Sequence, residues 1–175
     1  MGALPHFATQ ADFDGLSLHD DTIYGLRLDT ADAERALWRA DLVLDIDHIV
    51  EWVCGSDKRT RFRVAPATLA FHKVTDLMLA IDWGDSGYQT MLYSTAIDSL
   101  VRETVTEQKI CFDQPYYRWT IALNSPKGGR IAFGASGFTL ALRAPPILSD
   151  EQQLPPLIRD TCVRGNPADL GTSEG

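Results

Sequence analysis

The residues best suited to chemistry near the start of the chain are acidic. His19, Asp20 and Asp21 stand together, and Asp45 and Asp47 follow in the run DLVLDIDHIVEWV (41–53). On an extended strand two side chains at that spacing share a face and lie about 6.5–7 Å apart. Two carboxylates so placed can share a hard cation such as calcium or magnesium. His19, Asp20, Asp45 and Asp47 therefore form the candidate metal set, and the imidazole admits a transition metal as well. A divalent cation is the one cofactor this pattern suggests. The plainer reading is a solvated strand face, although Asp is disfavoured in strands.

Other reactive residue types have bland readings. His48 falls on the apolar face of its strand with Leu42, Leu44 and Ile46, which suits a core histidine bonded to backbone. Arg59, Arg61 and Arg63 alternate beside Lys58 and are expected to pair across strands with acidic residues. Trp119 and Tyr117 share a face with Ile121 and Leu123, so they belong in the core, whereas Tyr116 shares the other face with Arg118 and is the better exposed candidate. Cys54 precedes a turn, and nothing nearby would activate its thiol. The tetrapeptide at 84–87, GDSG, reads as a turn. The chain holds no phosphate-cradling glycine loop, no G-x-S-x-G, no H-E-x-x-H and no C-x-x-C. These absences point away from an enzyme.

Positioning these residues falls to strands. Period-two alternation dominates from residue 18 to 143. Strands are predicted at 22–29, 41–53, 59–64, 67–72, 75–83, 100–105, 116–124, 129–133 and 138–143, with Pro66 interrupting the third and fourth. Helix is confined to 31–38 and one turn at 149–154. Seven to nine short strands separated by turns predict an antiparallel β-sandwich or a partly open barrel with one or two short helices. Residues 1–163 form the expected single domain, and 164–175 the expected flexible tail.

The chain has 175 residues, 45% of them hydrophobic and 23% charged, enough for one real core. Three widely spaced cysteines argue against a disulfide framework. With no signal segment and no long apolar run, the expected location is the cytoplasm. Residues 1–51 carry eleven acids against three bases, so the whole net charge of −8 lies in the first third. Such a field repels nucleic acid and anionic membrane and attracts cations or a basic protein. It also serves solubility alone. Asp20, Asp21, Asp45, Asp47 and Tyr116 are the candidate partner contacts, and an exposed sheet edge would allow a homodimer.

The opening LHDDTIYGLRL (18–28), followed by the 41–53 strand, resembles small bacterial β proteins of unassigned function and immunity proteins of polymorphic toxin systems. They share an HD pair just before the first strand. The resemblance covers about the first third of the chain and carries over no catalytic residue. It implies an immunity-like or inhibitor-like binding protein. The alternative expectation is a β-sandwich that binds a metal or small ligand, with enzymatic activity open.

Overall fold

The alternating apolar residues become the inner face of a single antiparallel sheet. The computed structural model describes residues 7–30, 40–56, 58–84, 93–106 and 115–159. Its strands are β1 (Phe7–Thr9), β2 (Thr22–Thr30), β3 (Ala40–Cys54), β4 (Thr60–His72), β5 (Thr75–Ala80), β6 (Thr95–Thr104), β7 (Tyr117–Ser125), β8 (Arg130–Ala135), β9 (Gly137–Leu142) and β10 (Ile147–Ser149). They are ordered β1-β9-β4-β3-β2-β6-β7-β8-β5, with β10 added to β4, and the sheet does not close. The expected mostly-β antiparallel architecture is thus present, with ten strands described.

The sheet folds over on itself. Phe71 on β4 meets Phe133 on β8 at 4.6 Å between ring centroids and Trp119 on β7 at 5.4 Å, although these strands are not neighbours in the sheet. The fold line is β2. It pairs with β3 from Thr22 to Thr30 but with β6 only at Thr22 and Ile23. The chain crosses between the halves twice, at 72–75 and 135–137. Ser136 N donates to His72 O at 3.0 Å and ties the two crossings together, while Val74 N donates to Ala40 O at 2.7 Å and ties the first to β3.

Register explains the core. Leu42 faces Phe71, Leu44 faces Leu69 and Ile46 faces Ala67, all fully buried. Each such aliphatic side chain gains about 1.5–3 kcal/mol from leaving water. Trp119 sits at the centre, edge-on to Phe13, Phe71, Phe138 and Tyr117. Phe13 comes from the 3-10 turn Gln10–Gly15, which Thr9 and Asp12 cap reciprocally. A second, smaller core lies on the outer face, where Leu154 covers Ile49, Phe62 and Val64.

Several local expectations change. β4 runs unbroken through Pro66, which pairs with Asp47 at the place where the β9 ladder ends at Ala67. The expected turn at 149–154 is displaced to a helical turn at 156–159. The expected helix at 31–38 and the tail at 164–175 lie outside the described residues. No helix among the described residues is long and apolar enough to cross a membrane.

Tyr116 is corrected outright. It is 8% exposed, with its hydroxyl bonded to the Thr75 hydroxyl. Room for the ring exists because Gly134 lies beneath it. A Cβ built on Gly134 would collide with the phenol oxygen. Gly134→Ala is therefore expected to destabilise the protein by about 1–3 kcal/mol, as overpacking does. Urea unfolding checks this, and an unchanged midpoint would refute the packing account.

Candidate functional site

The acidic residues singled out by sequence are scattered by the fold. Asp21 and Asp47 are both 0% exposed. Asp21 Oδ2 lies 2.7 Å from His48 Nδ1, and Asp21 Oδ1 accepts from Ile49 N at 2.8 Å. Burial pushes the Asp21 carboxyl above its usual range. The bonds to His48 and Ile49 pull against this, and nearby Asp47 adds to it. Asp47 accepts from Leu154 N at 2.9 Å and from Arg159 Nε and Nη2 at 2.9 and 2.6 Å. Asp45 is bridged by Arg27 at 2.9 Å and Arg143 at 3.4 Å. Asp20 stands at φ +66°, a region Asp tolerates, and accepts from Asn124 and Gln152.

The metal set is therefore not assembled. Asp45 and Asp47 do share the outer face of β3, but each is already neutralised by arginine. His19 Nδ1 turns to the Asp98 carbonyl at 2.8 Å, and that bond, with Asp20 close by, raises its pKa. Among the described residues no three His, Cys, Asp or Glu side chains group closely enough to hold a metal ion. His48 is a buried histidine as expected, though its partner is a carboxylate rather than backbone. Arg63 pairs with Glu51 across the β3–β4 ladder at 2.9 Å, as the alternation implied.

What the fold does assemble lies at the other end of the same outer face. Asp41 is the second residue of β3, His72 closes β4, and Thr139 sits in β9. His72 Nδ1 is 2.9 Å from Asp41 Oδ2, and His72 Nε2 is 3.1 Å from Thr139 Oγ1. A carboxylate only accepts, so in the neutral ring the hydrogen sits on Nδ1 and Nε2 accepts from the threonine hydroxyl. Asp41 Oδ1 also accepts from Lys73 N at 3.0 Å. That bond holds Lys73 at φ +58°, where the chain turns toward the other half of the sheet.

Asp41, His72 and Lys73 line a cleft of about 850 Å³ together with Gln10, Asp29 and Ser136. Asp29 and Asp41 are direct cross-strand partners, so their carboxylates project from the same side. Their side chains are 58% and 38% exposed. Like charges directly opposite destabilise a sheet. Arg27 Nε offsets part of this from 3.3 Å on Asp29. Gln10 Oε1 is shielded from solvent, with no hydrogen-bond donor among the described residues.

Sequence reading passed over this group. His72 sat at a strand end among no other ligands, and Asp29 and Asp41 are separated by residues outside the described set. The available signal was an aspartate near the end of one strand and another near the start of the next, which antiparallel pairing of the two brings face to face. No protein-family model, no curated protein and no solved structure matches the chain.

Proposed function

We propose that the chain is a binding protein whose cleft between β1, β4 and the β2–β3 hairpin receives a basic group of a partner protein, an ammonium or guanidinium. The carrying observation is the cross-strand Asp29–Asp41 pair at the cleft wall. Two facing carboxylates cost stability unless a cation sits between or above them. Gln10 lines the same cleft and adds a polar side chain to its wall. A basic side chain supplies both charge and several N–H donors. This keeps the partner sign suggested by the acidic first third and changes the contact residues. Asp20, Asp21, Asp45 and Asp47 serve the fold, while Asp29 and Asp41 face outward.

The test is titration of an arginine-containing peptide against the folded protein by heteronuclear NMR. Shifts are expected at Gln10, Asp29, Asp41 and His72, with binding weakened by salt. Asp29→Asn, which leaves the His72 and Lys73 bonds intact, is expected to weaken binding about tenfold, close to 1.4 kcal/mol. It should also leave stability nearly unchanged, since relief of the like-charge pair is set against loss of the exposed Arg27–Asp29 ion pair. Equal affinity for wild type and Asp29→Asn would defeat the proposal.

A further inference from the structure

Farther along the same outer face, three guanidinium groups meet three carboxylates, since Arg27 also reaches Asp29. Arg27 and Arg143 both reach Asp45, and Arg159 with Leu154 N consumes Asp47. Of the three, Arg143 is the one with buried donors unmet among the described residues. Its Nη1 makes the longer contact to Asp45, while Nε and Nη2 are shielded from solvent with no acceptor among the described residues. The ring of Tyr24 lies over both neighbours, 4.1 Å from the Arg159 guanidinium carbon and 5.6 Å from that of Arg143. Burial, then the charge of Arg159, lowers the pKa of Arg143 from its ordinary value. Buried donors almost always have acceptors, and an exception calls for a missing ion or water.

We propose that Arg143, Arg159 and Tyr24 form a seat for a small oxyanion, a phosphate or carboxylate group. A guanidinium fork matches two oxygens of either group, and a charge-assisted bond of that kind is about twice as strong as a neutral one. An oxyanion would give Nε and Nη2 of Arg143 the acceptor they lack among the described residues and offset the charge of Arg159 nearby. The approach would run past Tyr24, because Arg143 itself does not line the neighbouring cleft and its Nε and Nη2 are covered. Tyr24 and Arg159 line a second cleft of about 750 Å³ together with Thr22, Ser94 and Gln152, and Arg143 keeps 25% of its side-chain surface exposed. This seat is independent of the cleft at Asp29 and Asp41, since it uses other residues and the opposite charge.

The experiment is thermal unfolding in sodium phosphate and in sodium acetate, each against sodium chloride at equal ionic strength, for wild type and Arg143→Met. Wild type is expected to gain several degrees in at least one oxyanion, because a ligand that binds only the folded state stabilises it. A response to phosphate alone assigns a tetrahedral group, and a response to acetate alone assigns a carboxylate. Arg143→Met keeps an unbranched apolar stem in place of the arginine's and leaves Arg27 on Asp45. In chloride it is expected to unfold at the wild-type temperature or higher, and to lose the oxyanion response. An equal wild-type midpoint in all three salts overturns the seat. So does an Arg143→Met protein that loses stability in chloride yet still responds. Should that variant fail to fold, titration calorimetry of phosphate and acetate into wild type decides, and no saturable heat from either overturns it.

Discussion

Replacing Asp47 with alanine is expected to destabilise the protein by about 3–5 kcal/mol, the cost of breaking a buried ion pair by removing one partner. Asp47 is wholly buried, and both of its oxygens are occupied by groups from the far end of the chain. The variant strands the Arg159 guanidinium, whose side chain is only 16% exposed, and the Leu154 amide. It also releases the lid on the outer core of Ile49, Phe62 and Val64, because Leu154 is held there through its own backbone. Urea unfolding gives the magnitude, and hydrogen exchange at the Leu154 amide gives the place. Loss of protection there ahead of the β3–β4 core would confirm that Asp47 acts as a clasp for residues 150–159. A stability change under 1 kcal/mol would mean the pair is dispensable. The same geometry makes charge reversal at Asp47 a poor probe of partner binding, since it would unfold the outer core before it altered any surface.

The strand pattern was legible because it is a local consequence of the pleat. Leu42, Leu44 and Ile46 alternate with Asp41, Asp45 and Asp47, and the inner set is buried as the alternation requires. The outer set was misjudged because alternation tells which face a residue takes, and says nothing of what later covers that face. Asp47 is outer by parity and interior in fact, since the chain returns after β10 to lay Leu154 and Arg159 over it. Likewise Tyr116 is outer by parity and buried by a glycine across the ladder. The short strands β1 and β10 are three residues each and carry no alternation long enough to read.

The candidate site was hidden for a related reason. Its residues come from the ends of β2, β3 and β4 and from the turn after β1, and only the sheet order places β1 and β9 beside β4. His72 gains a carboxylate partner through the β3–β4 register, which sets Leu42 on Phe71 and so brings Asp41 beside His72. Loop lengths alone did not fix that register. The apolar pairs Leu42–Phe71 and Leu44–Leu69 did, because a slip by one residue would turn every one of them to solvent.

Asp21 carries the second large prediction, and here the sign runs against ordinary acid behaviour. Its carboxyl is pushed above the usual range by burial, against the pull of His48 and Ile49. A group whose folded pKa is raised stabilises the fold below its unfolded value, about 3.9. That contribution is lost as pH rises through the folded pKa. Asp21 should therefore take stability away between about pH 4 and its folded pKa, where paired surface carboxylates add it. Asp21→Asn is the natural comparison. An amide can still accept from the Ile49 N–H and can donate to His48 Nδ1 in the neutral ring, so it copies the protonated carboxyl. The asparagine variant is expected to gain on wild type steadily as pH rises above 4, and parallel stability curves from pH 4 to 8 would rule this out. Asp21→Ala should behave differently, because it strands the His48 ring and the Ile49 amide. Each stranded group costs roughly 1–3 kcal/mol, and the cavity left by the carboxyl adds to the loss. The alanine variant should thus be destabilised across the whole range, while the asparagine variant isolates the charge. If both variants lost the same stability at every pH, the hydrogen bonds would have to be credited to the ionised form, and Asp21 would be an anchor of the same kind as Asp47.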